Sequence, residues 1–361
     1  MKRMVTRLHL GPDRIGRDAR VLAAALINAD INTHVPFADH IRAAAIAGVL
    51  LAGAFFTANA HAQLYPAKPV RAVFPISPGS SLDIVGRLVM QKLSEAWGQQ
   101  VVVDNRPGAG GTLGTALVAR APADGYTLLV SGISQTINTV LYTQLPYNAQ
   151  QDFIEIAPIA SMYQVLAVAP SLGIKSVAQL VALAKAKPGH VIFGSAGIGS
   201  GAHFAAEKLR LAMGVDVLHV PYKGGPEAMN DVMMARIHYW LPTIGTALPF
   251  IHGNRLLALG VTSPKRSALL PDVPTLIEAG VAGYEESLWF GIWAPRGVAA
   301  GIVEKIAKDV ARTVDLPALR EPFRKLAAEP LHLTPVEFAR FVRRENDSVK
   351  QIAKAAGIKA Q

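Results

Sequence analysis

Short apolar runs alternate with amphipathic stretches from about residue 70 onward, and that alternation sets the expected fold. Val70 to Phe74 reads as a strand, stopped by Pro75-Ile76-Ser77-Pro78-Gly79-Ser80-Ser81. Leu82, Val85, Val89, Leu93 and Trp97 then recur at helical spacing. Val101 to Val103 predicts a second strand, Arg106 to Gly111 a glycine-rich turn, Thr112 to Ala121 a helix and Tyr126 to Val130 a third strand. A strand over Leu166 to Ala169 follows. Ser176 with Gln179 is a capping-box signature for a helix through Leu180 and Leu183, which Pro188-Gly189 ends.

The rhythm continues with strands over Val191 to Gly194, Val217 to Val220, Ile237 to Leu241, Leu256 to Val261 and Trp289 to Ala294. Helices are expected over about Ala202 to Met213, Pro226 to Met234 and Thr243 to His252. Thr334-Pro335-Val336-Glu337 is a cap with proline at the first helical position, opening a long final helix towards Ala355. Repeated strand and helix of this length predict an α/β fold with mostly parallel sheets covered on both faces. About 300 residues exceed one comfortable core, so two lobes are expected. Ligands of open α/β sheets bind beyond the carboxyl ends of the strands, which directs attention to the strand-to-helix loops.

Ahead of this pattern, Arg42 is followed by a run of about fourteen small and apolar residues from Ala43 to Phe56, then by Thr57-Ala58-Asn59-Ala60-His61-Ala62-Gln63. A short apolar run behind a positive residue, ending in small residues at Ala60 and Ala62, is the pattern of a secretory signal peptide cleaved after Ala62. It is short for a membrane span and no basic stop follows it. The remaining chain is therefore expected to be secreted or periplasmic, with residues 1–62 as N-terminal extension and leader. The forty polar and mildly basic residues before the run fit an upstream start codon, which N-terminal sequencing of the precursor would test.

Composition narrows the chemistry. The 361 residues are 51% hydrophobic and 17% charged, which excludes wholesale disorder, and the absence of cysteine excludes disulfides, thiol catalysis and thiolate metal sites. The net charge of +10 is compatible with anionic ligands. No basic cluster interleaved with aromatics occurs, so a nucleic-acid partner is not expected.

Three strand-to-helix loops are rich in glycine and serine: Pro75 to Asp83, Ser131 to Thr136, and Ser195 to Gly201. Glycine lets backbone approach a ligand, hydroxyls donate, and the free N–H groups of the next helix attract a carboxylate or phosphate. An ordinary turn would account for any one of them; three together favour a site. Asp83 reads as a helix-start or loop hydrogen-bonding residue. Gly108-Ala109-Gly110-Gly111-Thr112-Leu113-Gly114 lacks the G-x-G-x-x-G spacing and the acidic residue that a dinucleotide site needs, and no Walker A sequence is present, so no cofactor is expected. No G-x-S-x-G elbow surrounds Ser200, and His203 reads as a packing residue of its helix. The histidines fit no ligand spacing, so no metal is expected.

Five segments, in this order, resemble the Bug proteins, the periplasmic solute receptors of tripartite tricarboxylate transporters. They are Asp104-Asn105-Arg106-Pro107-Gly108-Ala109-Gly110-Gly111, Asp124-Gly125-Tyr126-Thr127-Leu128-Leu129, His219-Val220-Pro221-Tyr222-Lys223-Gly224, Asp272-Val273-Pro274-Thr275 and Trp289-Phe290-Gly291. The resemblance spans nearly all of the chain after residue 64. It implies a two-lobed periplasmic binding fold of type II, with lobe 1 over 63–163 plus 286–361 and lobe 2 over 164–285. The lobes close on a small organic carboxylate without catalysis. Carried over, it gives Ser77, Gly79, Ser80 and Ser81 in the first loop and Ser195, Gly197, Gly199 and Ser200 in the loop after a lobe 2 strand. Ser134, Gln135, Thr136 and Thr243 are expected to line the rest of the cleft.

Bug proteins usually have two glycines where this chain has Gly79-Ser80, a longer loop at Ser131 to Thr136, and a polar or acidic residue where Pro242 stands. With Trp240 and Ile244 nearby, that wall reads as more apolar, for a ligand with an aromatic or apolar body; alternatively Trp240 and Ile244 are core. Lys223 belongs either to the cleft or to a structural turn. A monomer serving membrane transporter subunits is the leading expectation. A receptor docking on a sensor kinase is the second, and a secreted hydrolase using Ser200 a distant third.

Overall fold

A computed structural model of the chain describes residues 65–356. The apolar leader and the cleavage point after Ala62 lie outside the described residues. Eleven strands in the described residues form two sheets. The first has six strands in the order β11 (Ala328–Pro330), β4 (Phe153–Tyr163), β10 (Ser287–Pro295), β3 (Thr127–Gly132), β1 (Val70–Phe74), β2 (Val101–Asn105). The second has five: β7 (Leu218–Pro221), β6 (Ile192–Ser195), β8 (Tyr239–Trp240), β5 (Val165–Val168), β9 (Leu257–Val261).

Both sheets are mixed, which corrects the expectation of mostly parallel ones. β1 pairs in parallel with β2 and β3, and β6 with β7 and β8, as strand-helix-strand connections require. The antiparallel pairs all involve β4, β5 or β10, the strands that carry the chain from one sheet to the other. A strand arriving from the opposite lobe has no crossover helix to turn it parallel. β4 also went unread in the sequence, because Pro158 inside an apolar run argues against a strand. Pro158 is tolerated beside a register shift where Ile159 is skipped between two partners on β10.

Helices cover the faces: α1 (Ser81–Trp97), α2 (Thr112–Ala119), α3 (Ser134–Leu141), α4 (Val177–Ala186), α5 (Gly201–Met213), α6 (Gly225–Met233), α7 (Ile244–His252), α8 (Ala300–Val314), α9 (Pro317–Leu326) and α10 (Pro335–Ala356). The caps read from the sequence form as reciprocal bonds. Ser176 Oγ accepts from Gln179 N at 3.2 Å, and the Gln179 side chain accepts from Lys175 N. Glu337 accepts from Thr334 N at 2.9 Å while donating its own N–H to Thr334 Oγ1. α10 closes the first lobe by packing Phe338 edge-on against the buried Trp289, with ring centroids 5.9 Å apart and interplanar angle 89°.

The crossings are stitched together. Gln164, the single residue between β4 and β5, donates its N–H to Thr262 Oγ1 at 2.9 Å, and Thr262 returns its own N–H to Gln164 O. Thr262 Oγ1 donates to Glu286 O at 2.7 Å just before β10 begins. The Gln164 amide also donates to Leu241 O at 2.6 Å. The hinge thus holds the corner from which α7 starts, the corner that lines the cleft.

Candidate functional site

The carboxyl ends of β1, β3, β6, β7 and β8 lead through short loops into helices that start at one cavity. Among these, α1, α3, α6 and α7 have no side-chain cap on their first turns. Their free N–H groups and positive dipole ends are therefore available to a ligand. Ser200 does cap α5, its Oγ accepting from His203 N at 3.2 Å. Serines and glycines begin these helices because small residues leave the backbone approachable.

The first loop is built on a buried carboxylate. Asp83 accepts from Gly79 N at 2.9 Å, from Arg87 Nε at 2.8 Å and from Asn105 Nδ2 at 2.9 Å. Burial alone would raise its pKa, but these bonds outweigh it and hold the carboxyl below its ordinary range. Asp83 is thus the loop-fastening residue the sequence indicated. Next to it, the Ser80 hydroxyl is buried without a hydrogen-bond partner.

The cavity measures about 450 Å³ and runs between the lobes from Ser80, Ser81 and Ser134 to Trp240, Pro242 and Phe250. No side chain lining it carries a charge. A second chamber of about 670 Å³ shares Ile76, Ser134, Ala196 and Ser200 with the first and contains the glycine-rich turn, Tyr142 and Lys223.

Of the residues expected at the site, Gly79, Ser80, Ser81, Ser134, Ser200 and Thr243 come together around the first cavity. Gly197 lines the second chamber. Ser77 points elsewhere: its Oγ donates to Lys223 O at 3.0 Å across the lobes. Ser195 is fully buried at the end of β6, 2.7 Å from His219 Nε2, and accepts from Gly197 N. Gly199 has φ +83° and sits so close to Asn138 that a Cβ would stand 2.2 Å from its Oδ1. Gln135 and Thr136 are buried inside α3, with Thr136 Oγ1 bonded to Ile133 O at 2.7 Å and Gln135 accepting from Thr115. The expected loop over Ser131 to Thr136 is in fact strand to Gly132 and helix from Ser134. Ile137 and Leu141 bury that helix against the core, an apolar pattern that outweighs the serine and threonine content.

Trp240 and Pro242 line the cavity, whereas Ile244 packs in the core with Val165 and Val261. Met229, Phe250 and Leu326 also line it and were missed; their spacing reads only as the buried face of a helix.

The lobes touch across the cleft. Besides the Ser77–Lys223 bond, Gly110 in the first lobe lies against the Ile198 carbonyl of the second, where a Cβ would stand 2.2 Å from the oxygen. Below the loop from Ser195 to Ser200, the rings of Phe193, His219 and His203 stack, with 4.7 Å between the first two centroids and 4.2 Å between the histidines. Burial, with the neighbouring His203, pushes His219 down to about 3, and burial lowers His203 as well.

This arrangement defines a solute receptor: two α/β lobes, a stitched hinge, and a charge-free cavity between them ringed by helix N-termini. Residues 85–358 match the family model described as the tripartite tricarboxylate transporter family receptor, and the chain belongs to that family. BugT of Bordetella pertussis is 32% identical over 320 residues, covering 88% of this chain and 98% of BugT. Among solved structures, Rpa4515 of R. palustris, described with adipate, shares 33% identity at a TM-score of 0.79, covering 82% of this chain and 100% of its own. The periplasmic binding protein BugD shares 31% identity at a TM-score of 0.78, covering 82% of this chain and 100% of its own. MatC of Rhodopseudomonas palustris, with bound malate, shares 28% identity at 0.76, covering 80% and 99%.

Proposed function

We propose that the chain is exported to the periplasm, with its leader cleaved after Ala62, where it captures a small organic carboxylate and delivers it to the membrane subunits of a tripartite tricarboxylate-type transporter. The observation that carries the reading is a cavity without charged side chains lined by first-turn residues of several helices that have no side-chain cap. Such a site stabilises an anion through backbone amides and hydroxyls. Gly79, Ser80, Ser81, Ser134, Ser200 and Thr243 hold the ligand. Ser77, Ser195, Gly197 and Gly199 shape the loops that present them, and Gln135 and Thr136 fix the first turn of α3. Adipate and malate in relatives support the ligand class.

The protein works by closure rather than catalysis. A ligand that touches both lobes favours the closed state by its differential contacts. The Ser195–His219 pair resembles a nucleophile and base, but a histidine held near 3 is a poor base at neutral pH, and the serine lines neither chamber. The test is native mass spectrometry of protein purified from the periplasm without refolding. A released organic acid, on a chain beginning at Gln63, is the expected result; a full-length cytoplasmic chain carrying no acid would overturn the proposal.

A further inference from the structure

Resting on that carboxylate reading, the geometry points to a ligand with a single carboxylate and an apolar body, the carboxylate at the uncapped starts of α1 and α3 beside Ser200 and the body against Met229, Trp240 and Phe250. Ser134 and Ser200 line both chambers, so they mark the neck between them; Met229, Trp240, Pro249 and Phe250 line only the first. Met229, Trp240 and Phe250 also belong to one continuous apolar cluster with Ala228, Val232 and Leu256. The cavity is therefore divided into a polar neck and an apolar wall.

That wall is poor in donors for a second carboxylate. Pro226 stands in the first turn of α6 and has no N–H to offer. The edge of the Trp240 ring overlies the same turn, 3.4 Å from where a Gly225 Cβ would stand. In α7, Pro249 cannot donate to the Gly245 carbonyl, which adds acceptor character where an anion would need donors. The hydroxyls of Thr243 and Thr246 lie 3.0 Å apart, and Thr246 Oγ1 also reaches Thr243 O at 3.0 Å, so they are engaged with one another. The remaining donors, the Asn230 amide and the buried Trp240 indole N–H, which has no partner, are neutral and isolated from one another in sequence. A ligand carboxylate buried at this end would have only these neutral donors and the first N–H groups of α7 to replace its hydration, with no cationic side chain in the lining.

The experiment is calorimetry on the wild-type mature chain with three series: straight-chain monocarboxylates of roughly four to ten carbons, α,ω-dicarboxylates of the same lengths, and arylcarboxylates such as benzoate and phenylacetate. Each methylene laid against the wall should tighten monocarboxylate binding about fourfold until the cavity is filled. Dicarboxylates of equal length should bind at least tenfold more weakly. Phe250→Arg places a cation on the wall and should reverse that order, with folding checked by thermal melting. Short dicarboxylates binding tightest, or affinity independent of chain length, would overturn this inference and leave the carboxylate reading standing. Failure of every acid in all three series to bind would overturn both. An unchanged order in a folded Phe250→Arg protein would remove the wall from the site and with it the inference.

Discussion

The contact between Gly110 and Ile198 gives a direct handle on lobe closure. Gly110 adopts φ 62°, ψ 19°, and a methyl group on it would stand 2.2 Å from the Ile198 carbonyl oxygen, about 1 Å inside an ordinary carbon–oxygen contact. Gly110→Ala therefore acts in two ways. It strains the left-handed backbone by about 1–2 kcal/mol whether the lobes are together or apart, and it obstructs only the arrangement in which they meet. Gly98 separates the effects, because at φ 61°, ψ 16° it has nearly the same dihedral angles and no atom within 4 Å of its absent Cβ. Both alanine variants should lose about 2–4 °C of melting temperature, as expected from that strain in a domain of this size. Only Gly110→Ala should weaken ligand binding, by about tenfold or more, since each 1.4 kcal/mol added to closure costs a factor of ten. Calorimetry with the tightest carboxylate, alongside thermal melting of both variants, provides the measurement. Equal affinity in Gly110→Ala and Gly98→Ala would refute the claim that binding requires this contact.

Further outcomes follow from the same geometry. His219 is held near 3 in the folded state against about 6.5 when unfolded, so the unfolded chain binds the extra proton between those values. Stability should fall by up to about 1.4 kcal/mol per pH unit as pH drops from about 6.5 towards 3, and His219→Gln should flatten that slope in acid melting curves. Asp83→Ala strands the Gly79 N–H and the Asn105 amide, which should cost about 1–3 kcal/mol and loosen the first loop. Thermal melting together with weakened ligand binding checks it, and the stability difference from wild type should shrink as pH falls through the depressed carboxyl pKa. Trp293→Ala empties a fully buried site beside Trp289 and Phe338 and should destabilise the chain by about 3–5 kcal/mol in urea unfolding.

Much of the fold is legible because local chemistry and tertiary packing agree. The caps at Ser176 and Thr334 form as the spacing dictates, and helices such as α1 and α5 begin within a residue of where their apolar periodicity does. What escaped was set by partners distant in sequence. β4 contains a proline that a neighbouring strand accommodates with a register shift, and the direction of β5 and β10 depends on which lobe the chain has just left. The predicted strand over Ile237 to Leu241 shrinks to Tyr239–Trp240, because pairing partners on β5 and β6 meet only those residues. At the site, Ser80, Ser81, Ser134 and Ser200 were visible as small polar residues at helix starts. Ser195 carried the same signal yet is turned inward to His219, a difference of side-chain direction that composition cannot carry. Met229 and Phe250 present the converse case, since a cleft wall and a core face follow the same helical periodicity.

The central claim is that uncapped helix starts and hydroxyls, without any charged side chain, hold an acid between the lobes. Titrating the mature chain with its tightest carboxylate and with the matching carboxamide tests it most directly. The account predicts saturable heat for the acid and at least a hundredfold weaker binding for the neutral amide, about 2.7 kcal/mol. Equal affinity for the two, or binding of the amide alone, would contradict it.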